Sequence, residues 1–360
     1  MAQTAYQVRN HLQQDNPPAG CPDATYSAAM RAQRRIVAVS SAVLVTLGLG
    51  LGGTSAGAAT EFAESPHPVS LPALMATSQQ GSGFTVGRVL ARNSAYTKYA
   101  ISYRSNGLKI SGIMNVPKGK GPFPVIVLAH GYIDPKVYVT GQGFRREQDA
   151  LAREGYVALH VDYRNHAGSD DDPRNAVRLR LGYTEDVINS AKAVRTSGLS
   201  YIDPDRIGFL GRSMGGGVGY NALVTAPGTF KAAVLYAPVS ADAVDNFNKW
   251  QRSDTALRKE IFARYGSPEA NPDWWAGISA INYFDRITDP VLIVHGTADE
   301  SCPIEWTRRA MRELRRQSVD AELVEIKGGG HYLYGPWAKS FDRTLAFLDE
   351  HVRGSGSTTS

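Results

Sequence analysis

Ser213 lies in the stretch Gly211-Arg212-Ser213-Met214-Gly215-Gly216-Gly217, directly after the apolar run Ile207-Gly208-Phe209-Leu210. A G-x-S-x-G pattern between a strand and a helix lifts a serine hydroxyl out of a sheet, and its glycines lack the Cβ atoms that would crowd so tight a turn. Taken alone, the pattern equally suits a glycine-rich turn into a helix, including one that cradles phosphate. Partners separate the two readings. A serine hydroxyl attacks effectively only when a base takes its proton, and the base needs a third group to orient it.

Both partners have candidates downstream, in the order serine, acid, histidine. The run Val291-Leu292-Ile293-Val294-His295-Gly296-Thr297-Ala298-Asp299 puts Asp299 just past a later apolar strand. Glu300 beside it is an alternative acid by position, and either carboxylate also suits a solvated loop near a helix start. The run Val324-Glu325-Ile326-Lys327-Gly328-Gly329-Gly330-His331 puts His331 on a glycine loop after the last strand. His130 and His166 precede the serine and His295 precedes the acid, so none fits the order. His11, His67, His160 and His351 fall in an N-terminal extension, a linker, a strand and the last helix. Acyl transfer also requires donors for a developing oxyanion. The backbone N–H of Met214 is one, and that of Tyr132, in Leu128-Ala129-His130-Gly131-Tyr132, is the other.

These residues need strand ends to hold them. Segments 84–92, 97–104 and 108–116 alternate apolar and polar residues and read as an antiparallel edge. Runs 123–129, 157–161, 207–210, 232–236, 291–294 and 321–326 are short and apolar, and most read as parallel strands buried on both faces. Helical stretches at 143–153, 174–196, 215–225, 304–316 and 337–352 alternate with them, which is the signature of a doubly wound α/β sheet. Active sites of such sheets lie at the carboxyl ends of the strands. Residues 238–290 make too long a connection for a simple crossover. With helical patterns at 241–250 and 255–265 and a helix start at Asn271-Pro272, they read as a small helical cap, at about 239–289.

Upstream, Arg31-Ala32-Gln33-Arg34-Arg35 precedes the apolar stretch 36–51 and the small residues Gly52-Gly53-Thr54-Ser55-Ala56-Gly57-Ala58. A basic region, an apolar region and a small-residue cleavage site describe an export signal. The apolar stretch is short for a membrane span, so cleavage and secretion are expected, with an uncleaved membrane anchor as the alternative. Met30 is a candidate start, and Arg34-Arg35 also permits twin-arginine export. The expected organisation is an N-terminal extension and signal over 1–58, a linker or extended arm over 59–82, a catalytic domain over 83–353 and a tail over 354–360.

Composition narrows the partners. With 42% hydrophobic and 20% charged residues and a formal net charge of +5, the chain has the make-up of an ordinary globular protein. No Lys/Arg-rich run is present, which argues against nucleic acid as a partner. Cys21 and Cys302 are the two cysteines, so a disulfide framework is excluded, and Cys302 reads as a small packing residue. Asp170-Asp171-Asp172 reads as a solvated loop, because alternate rather than adjacent carboxylates converge on a hard cation. No metal and no cofactor is expected.

At these motifs the chain resembles the catalytic domain of the prolyl oligopeptidase family. Ser200-Tyr201-Ile202-Asp203-Pro204-Asp205-Arg206 leads into IGFLGRSMGGG, and HGTADESCP and GGGHYL stand where the family has its acid and base blocks. The resemblance covers about residues 97–352 and implies an α/β-hydrolase fold with a mostly parallel sheet and a Ser213, Asp299, His331 triad. Residues 59–83 leave no room for the β-propeller of the full-length oligopeptidases. His130-Gly131-Tyr132 is closer to what acetyl esterases of the same fold show, so small ester and short peptide substrates are both implied. GRSMGGG is also similar to the nucleophile block of cutinase-like polyester hydrolases, which lack a cap of this length. The non-enzymatic alternative is a binding protein on a hydrolase scaffold that has lost turnover.

Overall fold

A computed structural model describes residues 65–333, Gly335 and residues 337–354. The expected signal within 1–58 lies outside the described residues, as does nearly all of the tail. Among the described residues no helix is long and apolar enough to cross a membrane.

The chain first forms a short helix, α1 (Leu71–Ala76), then three strands, β1 (Gly81–Arg92), β2 (Tyr96–Ser105) and β3 (Leu108–Pro117). Strand and helix then alternate: β4 (Phe123–Ala129), α2 (Arg145–Arg153), β5 (Val157–Val161), α3 (Leu181–Arg195), β6 (Ile202–Arg212), α4 (Met214–Thr225) and β7 (Ala233–Tyr236). After β7 come α5 (Ala243–Asn246), a π-helical turn (Phe247–Gln251), α6 (Thr255–Tyr265), α7 (Pro272–Gly277) and a 3₁₀ stretch (Ala280–Arg286). The chain closes with β8 (Val291–Gly296), α8 (Ile304–Arg316), β9 (Ala321–Ile326) and α9 (Trp337–Leu348).

The nine strands form one sheet in the order β1-β2-β3-β5-β4-β6-β7-β8-β9. β1, β2, β3 and β5 pair antiparallel in succession, and every pair from β5–β4 to β8–β9 is parallel. The chain leaves β4 toward β5 and returns to its other side as β6, so β4 and β6 flank the point where the strand order reverses. A crevice opens at the carboxyl ends of such a pair. Both faces are covered: along β4, Val125 and Val127 join one apolar cluster, whereas Ile126 and Leu128 join the other. Successive side chains of a strand point to opposite faces, and helices on each side bury them.

Three stretches differ from their sequence patterns. The expected arm over 59–82 holds α1, capped by the Ser70 hydroxyl, which accepts from the Ala73 N–H. Leu71 and Leu74 are buried in the main core, and this apolar docking makes a helix of a proline-rich stretch. Residues 174–180 are turns rather than the first turns of a helix, and α3 starts at Leu181. Leu179 and Arg180 have left-handed backbones, φ 50° and 62°, and the Arg180 N–H donates to the Asn175 carbonyl at 2.8 Å. Asp172 is drawn to the buried Arg164, which holds the segment away from a helical path. The expected helix over 241–250 is α5 followed by the π-helical turn.

α1 should therefore contribute measurably to stability. Leu71→Ala removes a fully buried side chain and is expected to lower unfolding free energy by about 2–4 kcal/mol. Urea titration of the two proteins checks this, and an unchanged midpoint would show that α1 is only loosely docked.

Candidate active site

The register of the sheet brings the first two elements of the site together. Ala129 of β4 pairs with Gly211 of β6, so the chain beyond β4 runs beside the chain beyond β6. Ser213 sits at the β6–α4 junction with φ 56° and ψ −120°, a conformation that a side chain adopts only when its surroundings enforce it. The Ser213 N–H donates to the Tyr236 carbonyl, and the Ser213 carbonyl accepts from Gly216, Gly217 and Val239. α4 packs so closely that a Cβ on Gly215 would lie 1.9 Å from the Ala129 carbonyl oxygen. A Cβ on Gly131 would lie 3.2 Å from Ser213 Cβ, which places the His130-Gly131-Tyr132 turn directly against the serine.

Asp299 and His331 meet from the neighbouring strands. Asp299 follows β8 and His331 follows β9, and His331 Nδ1 lies 2.8 Å from Asp299 Oδ2. A carboxylate can only accept, so Nδ1 carries the proton and Nε2 is left able to receive one. Asp299 Oδ1 accepts the N–H groups of Ser301 and Cys302, both at 2.8 Å. Burial pushes the Asp299 carboxyl up, but hydrogen bonds from His295, His331 and the Cys302 N–H outweigh it and hold it well below the usual carboxylate range. Glu300, the alternative acid, is exposed.

Two neighbours escape sequence reasoning. His295, set aside for its place in the chain, lies with Nε2 3.1 Å from Asp299 Oδ2 and with Nδ1 2.7 Å from Thr307 Oγ1. Its position four residues before Asp299 at a strand end was the available signal. Cys302 is fully buried and its thiol contacts Ser213. Ligand-type atoms of Asp299, Cys302 and His331 lie within 4.8 Å of one another. Burial, with the Asp299 charge, pushes the thiol up to about 12, so it stays protonated at neutral pH and is a poor competitor for any electrophile that Ser213 faces.

Buried polar groups support these loops from below. The His130 ring stacks on Tyr138 at 4.6 Å, and the Tyr163 hydroxyl donates to the His130 carbonyl. His166 joins the Arg164 and Ile133 carbonyls, tying the loop after β5 to the loop after β4. Arg164 is itself buried and bound by Asp172, Glu185 and Asp186, while the Asp170 carboxylate accepts the Lys109 N–H. Two members of the Asp170-Asp171-Asp172 run thus serve the protein's own donors. Arg212, immediately before Ser213, forms a buried ion pair with Glu147 at 2.5 Å, and the Trp337 indole N–H donates to the same carboxylate at 3.0 Å.

These elements surround a cleft of about 1080 Å³ that contains Ser213 and His331. Its floor is the Gly131–Ile133 turn and the start of α4, and its far wall comes from residues 239–278, including Ala241, Trp250, Leu257 and Ile278.

Residues 142–355 match the prolyl oligopeptidase family, Peptidase_S9. The chain belongs to that family. The chain is similar to the uncharacterized peptidase YuxL of Bacillus subtilis, 28% identical over 242 residues, which are 63% of this chain and 34% of that protein. Its fold is similar to Pyrococcus horikoshii acylaminoacyl peptidase, with a TM-score of 0.61 and 20% identity over 75% of this chain and 44% of that one. It is also similar to acetyl xylan esterase 1 of Thermoanaerobacterium, with a TM-score of 0.57 and 16% identity over 77% and 91% of the two chains. The chain thus spans 34% of the length of YuxL, whereas it matches nearly the whole of the esterase.

The buried histidines set a pH dependence of stability. Burial holds both His130 and His160 at about 3 instead of 6.5, and His130 also feels His160. The unfolded chain takes up these protons below about pH 6.5, whereas the fold takes them up only near 3, so stability rises with pH through that window and is lost as pH falls through it. Urea midpoints should drop between pH 6.5 and 4, and His160→Leu should flatten the drop. An equal slope in both proteins would count against this cause.

Proposed function

We propose that this member of the prolyl oligopeptidase family hydrolyses small carboxylic esters or short peptides through an acyl-enzyme, with Ser213 as nucleophile, His331 as base and Asp299 as its orienting acid. The observation that carries the reading is the strained Ser213 elbow in one cleft with a histidine whose Nδ1 is held by a buried carboxylate. His331 Nε2 takes the Ser213 proton as Oγ attacks the acyl carbon, and Asp299 stabilises the imidazolium that forms. The backbone N–H groups of Tyr132 and Met214 hold the oxyanion as the carbonyl becomes tetrahedral. His331 then returns the proton to the leaving alcohol or amine, and water repeats the sequence to release the acid. Preorganised donors need no rearrangement as charge develops, which is the main source of rate in such sites.

Both substrate classes have support. The family is one of peptidases, and the acetyl xylan esterase likeness covers nearly the whole of that enzyme. The wall formed by residues 239–278 encloses the cleft on one side, which favours small substrates over a polymer chain.

A fluorophosphonate probe should label the purified protein, and Ser213→Ala should abolish both labelling and hydrolysis of p-nitrophenyl acetate. Asp299→Asn should keep the fold and lower kcat by ~10⁴. Labelling that survives Ser213→Ala would overturn the assignment. A parallel panel of aminoacyl p-nitroanilides separates peptidase from esterase.

We also propose that the protein acts outside the cell, on the strength of the basic, apolar and small-residue succession over 31–58. N-terminal sequencing of protein recovered from culture medium should begin near residue 59. Retention of an intact residue 30–58 segment on membranes would show anchoring instead.

A further inference from the structure

The cleft carries more positive charge than its own carboxylates neutralise. Arg145, Arg146, Arg180 and Arg212 line it, against Glu147 and Asp254. Glu147 is bound by Arg212 and Arg146, and the Asp254 carboxylate accepts the first N–H groups of α6. No carboxylate of the described residues pairs with Arg180. It lines the cleft beside two residues of the proposed site. Its guanidinium carbon lies 4.6 Å from the centre of the Tyr132 ring, and Nη1 lies 4.0 Å from Met214 Sδ. Tyr132 and Met214 are the two residues whose backbone N–H groups are assigned to the oxyanion.

The position is built. Leu179 and Arg180 both hold left-handed backbones, φ 50° and 62°. The Arg180 N–H is fixed to the Asn175 carbonyl, and the Asn175 side chain accepts the Gly182 N–H at 3.1 Å. Such strain persists only where surrounding contacts over-determine it. Here the outcome is a half-buried arginine braced against an aromatic face and lining the cleft.

We propose that Arg180 is a substrate anchor and that the preferred substrates carry a carboxylate close to the scissile carbonyl. This rests on the acyl-transfer reading above. A guanidinium offers a fixed fork of donors that matches a carboxylate, and stacking on an aromatic ring limits the entropy lost on binding. The surplus positive charge in a walled cleft attracts the same group from solution. The carboxylate belongs either to the acyl chain or to the leaving group, and matched ester pairs distinguish the two.

The first pair is p-nitrophenyl hemiglutarate and its neutral glutaramate analogue, and the second is 3-carboxyphenyl and 3-carbamoylphenyl valerate. In one pair the wild-type protein should favour the acid over the amide by about 10-fold in kcat/KM, mostly through KM, with the preference shrinking as salt is added. Arg180→Gln should bring that ratio to near one, and Arg180→Lys should keep part of it. A wild-type ratio near one in both pairs overturns the anchor, and so does a ratio that Arg180→Gln leaves unchanged while both rates fall. Calorimetric binding of glutarate and of benzoate to Ser213→Ala protein gives a readout that needs no turnover. Binding of either that Arg180→Gln abolishes supports the anchor even if the nucleophile assignment fails, and binding of neither, or binding indifferent to Arg180, overturns it.

Discussion

The backbone of Ser213 is the constraint on which the rest of the structure depends. Its φ of 56° is unfavourable for any residue with a side chain, and it persists because α4 is pressed onto β4 at Gly215 while strand-end hydrogen bonds hold the turn from both sides. The approach of α4 to the Ala129 carbonyl leaves no space for a methyl group at residue 215. The same approach brings the turn after β4 beside the serine, so strain at one residue and the position of the proposed oxyanion donors have a common cause. The parallel register of β4 with β6 makes this possible by ending both strands at the same level.

Around this turn the protein buries polar groups at some expense and pairs each of those that matter. Arg164 with its three carboxylates, Arg212 with Glu147, and His130 with its aromatic neighbours all lie beneath loops, not in the apolar layers of the sheet. Loops have no repeating hydrogen-bond pattern to define their shape, so directional side-chain bonds do that work. The arrangement fixes three loops, those after β4, β5 and β6, against one another, and it aims both Tyr132 and Arg180 at the same part of the cleft.

Much of this was legible in the sequence, for local reasons. Buried parallel strands are short, mostly apolar runs, and 123–129 and 157–161 coincide with β4 and β5, while 321–326, interrupted by Glu322 and Glu325, coincides with the half-buried edge strand β9. The candidate acid and base were legible because each directly follows such a run, and the structure brings Asp299 and His331 into hydrogen-bond contact. The composition of 174–180 permits a helix. Its actual path answers to Arg164 and Asn175, which no periodicity encodes. The helix at Leu71–Ala76 was hidden likewise, since three prolines nearby suggest an extended arm and only the docking of Leu71 and Leu74 into the core favours a helical turn.

By itself the sequence determined the class of fold, the order of the strands along the chain and which serine, aspartate and histidine stand at strand ends, because each is a property of a few consecutive residues. Tertiary structure alone decided that His295 and Cys302 crowd the same aspartate and serine, that Glu147 steadies the residue before Ser213, and that Arg180 faces the cleft without a carboxylate partner among the described residues. Cys302 and Ser213, Glu147 and Arg212, and Arg180 and Tyr132 are far apart in the chain, and His295 reaches Asp299 only because the loop after β8 folds back on it. These contacts depend on strand order and loop path, which follow from how the whole sheet packs and not from any single stretch of it.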